Sequence, residues 1–131
     1  NSKSKQTDVF ETGERIRIIL GFEVKSDMNL ETLSAAISIK NKLGLDLIVS
    51  TTKDYKKLEF KTNHNFYEVI FEFPMLLNAE EYVLNLAIED RENIAPEYYD
   101  YIEGAAYFRV VSENYLFGIF TPEIAQEIIA K

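Results

Sequence analysis

Between positions 15 and 24 the chain alternates without interruption: Ile16, Ile18, Leu20, Phe22 and Val24 fall between Arg15, Arg17, Ile19, Gly21 and Glu23. A sustained period of two marks a strand with one face in a core. Thr12 and Gly13 just before it signal a turn, since Gly13 is free to take a positive φ that side chains resist. One such strand cannot bury its apolar face alone. A second sheet must cover it.

The remaining chain supplies the strands. Positions 33–41 set Leu33, Ala35, Ile37 and Ile39 against Ser34, Ala36, Ser38 and Lys40. A turn signal at Asn41, Lys42, Leu43 and Gly44 then leads into β-branched residues at 45–52, the expected hairpin partner. Positions 66–74 alternate Tyr67, Val69, Phe71 and Phe73 with Glu68, Ile70 and Glu72, and Pro74 closes the run because it has no N–H for a ladder. Positions 81–89 repeat the pattern with Tyr82, Leu84, Leu86 and Ile88, and 105–111 with Ala106, Phe108 and Val110. The stretches 25–31 and 53–61 read as polar loops, with another turn at Asn63, His64 and Asn65. Positions 90–104 break the alternation and read as the longest loop. After a turn at 112–115, residues 116–120 suggest a short strand. Thr121 then looks like a helix cap with Pro122 at the first helical position, opening a helix over 123–131.

This rhythm predicts an all-β fold: an antiparallel β-sandwich, immunoglobulin-like or jelly-roll, of about six to eight strands. The expected organisation is a linker from a preceding domain at 1–7, a sandwich at 8–120, and a C-terminal tail at 121–131 forming a short helix or an exchanged segment.

Composition narrows the chemistry. The 131 residues include nine Phe and eight Tyr, enough for a real core, and no cysteine. Disulfides, thiolate zinc sites and cysteine nucleophiles are therefore excluded. The net charge of −8 argues against nucleic acid, whose binding rests on basic patches. No apolar run approaches the ~20 residues of a membrane span, so no direct membrane insertion is expected. Neither a phosphate-cradling G-x-x-x-x-G-K-[ST] nor a G-x-G-x-x-G occurs. The single histidine, His64, lies between two Asn with no G-x-S-x-G anywhere near, so no serine triad forms. Asp90, Glu92, Glu97, Asp100 and Glu103 lack the D-x-[DN]-x-[DN]-G spacing of a calcium loop. No catalytic residue, metal or cofactor is predicted.

What remains is surface. Neutral sugars are held by aromatic rings against their apolar faces and by Asp, Asn, Arg or Glu on their hydroxyls. Two groups suit that chemistry. The first is the aromatic stretch Tyr98, Tyr99 and Tyr101, read as part of a loop; the second is the outward set Asn85, Tyr107 and Arg109, with Lys40, if their strands are neighbours. The bland alternatives are that the tyrosines fold over the sandwich end to cap the core, and that Tyr107 and Arg109 belong to an ordinary solvated face.

The chain also resembles a known family, the C-terminal domain of Wzt, the ATP-binding subunit of O-antigen polysaccharide ABC exporters. The likeness is carried by Val9, Phe10, Glu11, Thr12, Gly13 and Glu14 before an alternating strand, by the strand–turn–strand at 36–50, and by Phe66, Tyr67, Glu68 and Val69 leading to the segment 76–84. It continues through Ala105, Ala106, Tyr107, Phe108, Arg109 and Val110 to Gly118. One departure is that 78–81 contains no glycine where the family has one before a Tyr. The resemblance implies a β-sandwich that recognises O-antigen polysaccharide and follows a nucleotide-binding domain. It further implies partners in the exporter's nucleotide-binding and membrane subunits, a homodimer with an exchanged C-terminal segment, and a cytoplasmic location at the inner face of the membrane. The alternative is a structural or dimerisation sandwich attached to the ATPase that binds no sugar.

Overall fold

A computed structural model of the chain describes residues 8–54, 57–61 and 64–131. The expected linker at 1–7 and Asn63 of the expected turn lie outside the described residues. Seven strands run in order: β1 (Asp8–Glu11), β2 (Arg15–Glu23), β3 (Leu33–Lys40), β4 (Asp46–Thr51), β5 (Phe66–Pro74), β6 (Glu80–Asp90) and β7 (Glu97–Val111). They form a five-stranded sheet in the order β1-β7-β6-β3-β4 and a two-stranded sheet of β2 and β5. The all-β sandwich is as the alternation predicts.

The two sheets bury what the period-two pattern points inward. In the small sheet the register pairs Ile16 with Phe73, Ile18 with Phe71, Leu20 with Val69 and Phe22 with Tyr67, so both strands turn their apolar sets the same way. Across from them lie Leu33, Ala35, Ile37 and Ile39 of β3, Tyr82, Leu84 and Ile88 of β6, and Phe108 and Val110 of β7. Full burial of each large side chain is worth about 1.5–3 kcal/mol, which is how strands weak in isolation hold together. Gly13 takes φ +94° at the corner between β1 and β2. Its N–H donates to Met75 O at 2.6 Å while Met75 N–H donates to Glu14 O at 2.7 Å, locking that corner to the end of β5.

Four details differ from the sequence expectation. The long loop at 90–104 is largely strand: β6 runs to Asp90, which pairs with Glu97, and only 91–96 connects the two. The alternation is disguised because the β6–β7 register shifts twice, between Ile88 and Glu89 and between Leu84 and Leu86. The shift between Ile88 and Glu89 inserts one extra residue in β7, Tyr99, and reverses the phase, whereas the shift between Leu84 and Leu86 inserts two and interrupts the pairing without reversing it. Second, the sheets are not wholly antiparallel, since β1 pairs parallel with β7 from Asp8↔Phe108 to Glu11↔Val111. A four-residue strand carries no signal of direction. Third, 116–120 forms no strand and contributes a single bridge, Leu77↔Phe120. Fourth, no helix forms over 123–131, whose residues are exposed and irregular. A helix of two turns is unstable without a docking surface, and none receives it here.

Candidate functional site

The outward face of the large sheet carries a trough built from its residue sizes. Three consecutive outward pairs between β3 and β6 are Ser34↔Glu89, Ala36↔Ala87 and Ser38↔Asn85. The side chains at the centre are small. On one flank stand Thr51 and Val49 of β4, opposite Ala36 and Ser38; on the other stand Tyr101 and Tyr98 of β7, opposite Ala87 and Glu89. Small residues between bulky ones leave a depression of about 290 Å³, which Asp46, Asp54, Arg91, Ile94 and Pro96 complete.

Tyr98 and Tyr101 are partly exposed and meet edge to face, with ring centroids 5.1 Å apart. Two aromatic surfaces thus rim one side. Asn85 is almost wholly buried at the trough floor. Its Oδ1 accepts the N–H of Gly104 at 2.7 Å, while its Nδ2 has no partner. Gly104, at φ +68°, sits in the β7 bulge, so Asn85 fills the gap that the bulge leaves in the ladder. Ser34 Oγ and Arg91 Nε are likewise buried and unpartnered. Three orphaned polar atoms on or beside one face are notable, because buried polar groups are almost always hydrogen-bonded.

The charged groups form a chain at one end of the trough. Arg91 donates through Nη1 and Nη2 to Asp54, and through Nη1 to Glu89 Oε2 at 3.3 Å. The hydrogen bond from Arg91 holds the Asp54 carboxyl below its ordinary value, helped by Thr51. Burial pushes the Glu89 carboxyl up, and Arg91 offsets this only in part.

The six residues proposed from sequence divide into three places. Asn85, Tyr98 and Tyr101 come together at the trough. Tyr107 and Arg109 lie on the same face beyond the bulge, opposite Val83 and Glu81, where Tyr107 lines a separate depression with Asn41, Lys42 and Glu81. Lys40 is opposite Val83 and 4.0 Å from Asp46. Tyr99 points the other way: it packs against the core cluster that holds Leu20, Leu33 and Ile88, and its hydroxyl accepts the Asn29 N–H at 3.1 Å. The tyrosines sit on a strand, not a loop. Sequence reasoning missed Ala36, Ala87, Glu89, Arg91 and Asp54. The legible signal was the run of small outward residues Ser34, Ala36 and Ser38 on a strand whose inward set is large. Among the described residues no group of His, Asp and Glu is arranged to hold a metal.

Fold and trough together define a β-sandwich module with a depression of small-ligand size on one sheet. The model of one family, the Wzt C-terminal domain, matches residues 1–122, and the chain belongs to that family. Among solved structures it is similar to the crystal structure of the C-terminal domain of Wzt, with a TM-score of 0.78 at 15% identity over 92% of this chain and 74% of that one. No curated protein matches the chain by sequence.

Proposed function

We propose that this domain is a non-catalytic carbohydrate-binding module that recognises O-antigen polysaccharide for an ABC exporter, and that the trough is its sugar site. Membership of the Wzt C-terminal domain family supports the exporter setting. The observation that carries the sugar site is Asn85 Nδ2, a buried donor without an acceptor, at the floor of a trough rimmed by Tyr98 and Tyr101. A sugar hydroxyl would satisfy the amide while the tyrosines cover an apolar sugar face. Tyr107 and Arg109, further along the same face, suit a second contact with a longer chain.

The exporter's nucleotide-binding and membrane subunits are the proposed partners, at the cytoplasmic face of the membrane. A homodimer is the proposed assembly. Ile124, Ile128 and Ile129 of the tail are exposed, and an apolar cleft of about 720 Å³ opens between β4 and β5, lined by Ile48, Val69, Phe71 and Phe73. A tail of that composition and a cleft of that lining support exchange between two copies.

Calorimetric titration with the O-polysaccharide of the source organism, beside an unrelated polysaccharide, tests the sugar reading. Saturable binding of the cognate glycan alone is expected, weakened roughly tenfold by Tyr101→Ala, which corresponds to ~1.4 kcal/mol. Binding that survives Tyr98→Ala and Tyr101→Ala together would move the site elsewhere. No binding at millimolar sugar, with a dimer by light scattering, would leave a purely structural module.

A further inference from the structure

We infer that the trough selects a sugar residue bearing no negative charge and rejects residues that carry carboxylate or phosphate. The inference rests on the sugar-site reading above and goes beyond it to the ligand's chemical class.

Among the described residues four charged side chains line the trough: Asp46, Asp54, Glu89 and Arg91. Three are acidic and one is basic. Binding an anionic sugar at such a site needs a guanidinium fork or an ammonium turned towards it. Among the described residues the only cation lining the trough is Arg91, whose terminal nitrogens are already engaged and whose unpartnered Nε is buried; Lys40, beside the trough, stands 4.0 Å from Asp46. Both terminal nitrogens donate to Asp54 and one also reaches Glu89. The guanidinium side chain is mostly buried, so it is not free to swing out to a ligand. A carboxylate or phosphate entering here would meet three acidic groups and, among the described lining residues, no cation that is not already engaged, in a partly desolvated place where charge repulsion is weakly screened.

What the trough does offer fits a neutral ring. Asn85 Nδ2 is a free neutral donor, and the acidic oxygens accept hydroxyl hydrogens. The methyls of Ala36 and Ala87, with Val49 and the two tyrosines, present apolar surface to C–H groups or to a methyl or acetyl substituent. Its volume of about 290 Å³ falls just below the range of drug-sized ligand pockets, ~300–1,000 Å³, so it suits one or two sugar rings.

The test follows backbone and Asn side-chain amide resonances during titration with four probes and the source organism's own O-polysaccharide. The neutral probes are methyl rhamnoside and the methyl glycoside of N-acetylglucosamine; the anionic ones are glucuronate and glucose 6-phosphate. The neutral probes should shift the Asn85 amide and Ala87, and the anionic ones should bind at least tenfold more weakly. Asp54→Asn releases part of the guanidinium fork and should narrow that gap severalfold, while raised salt should narrow it in the unaltered protein. Equal shifts by neutral and anionic probes, or a gap unmoved by both Asp54→Asn and salt, would overturn the charge selection and leave the sugar site standing. Silence of the trough to every probe and to the O-polysaccharide would overturn the sugar site itself, and the selection with it.

Discussion

The Tyr82 phenol donates to the main-chain carbonyl of Asn78 at 2.6 Å, holding the turn before β6 from inside the core. Asn78 in turn grips the segment that follows β7. Its Nδ2 donates to Phe117 O at 2.8 Å and Gly118 O at 2.7 Å, its Oδ1 accepts from the Thr121 hydroxyl, and its N–H donates to Ile119 O at 2.9 Å. One buried side chain therefore anchors residues 117–121. It also accounts for the missing glycine in this turn, since among the described residues none from 78 to 81 takes a positive φ.

Asn78→Ala should cost about 2–3 kcal/mol, because three side-chain hydrogen bonds disappear and the carbonyls they served are left without partners. Urea denaturation measures the loss. Limited proteolysis of the variant should cut within 112–121 first, and an unchanged cleavage pattern would mean that the segment is held by other contacts.

Tyr82 sets an alkaline limit. Burial, with a smaller push from Glu80, raises its phenol to about 12. The unfolded value is about 10, so the protonated phenol's contribution is complete below ~10 and fades as pH rises towards 12. Tyr82→Phe should lose about 1 kcal/mol at pH 8, the worth of one hydrogen bond, and the gap to the unaltered protein should close between pH 10 and 12. Denaturation curves across that window decide it. A constant gap would show that Tyr82 titrates as it does in the unfolded chain.

Glu89 works in the opposite region of the scale. Its carboxyl is raised by burial, so the folded chain holds that proton more tightly than the unfolded one. Stability from this group is complete below the ordinary carboxylate value and falls as pH rises through the raised one. Glu89→Gln, which imitates the protonated form, should therefore be more stable than the unaltered protein at neutral pH, with the difference shrinking as the solution is acidified. A variant less stable at pH 7 would mean that the contact with Arg91 outweighs the desolvation.

The bulge at Gly104 admits a direct substitution. A Cβ there would stand 2.7 Å from Tyr107 Oη, the far end of a side chain that can turn aside. The backbone at φ +68° cannot yield so easily. Gly104→Ala should cost about 1–2 kcal/mol, the usual penalty of left-handed backbone for a residue with a Cβ. Thermal melting would measure it, and no loss would mean that the bulge relaxes to another conformation.

The strands were legible where one phase of alternation persists. The run of β2 gave its whole core-facing set, and β5 was predicted to the residue from Phe66 to Pro74. The alternation of β7 fails at 97–104 because the bulge at Tyr99 reverses its phase, so Tyr98 and Tyr101 end on one face and Tyr99 on the other. No period in the sequence encodes that. The candidate trough was half legible. Asn85, Tyr98 and Tyr101 announce themselves by type, but Asp54 reaches Arg91 across 37 positions of chain, a contact that only the packing of two loops creates. The parallel direction of β1 was invisible for the same reason: it depends on where β7 lies, not on the residues of β1.

That direction has a consequence for synthesis on the ribosome. Asp8 lies beside Phe108, so the first strand waits for the last before its ladder can close. The hairpin of β3 and β4 and its partner β6 can assemble as they emerge, whereas Phe10 stays uncovered until Phe108 arrives to meet it edge to face. Contacts this distant in sequence form late and slowly. The nascent domain therefore carries an exposed edge and a bare aromatic ring through most of its own translation, and its vulnerability to misassociation ends only when β7 clears the exit tunnel.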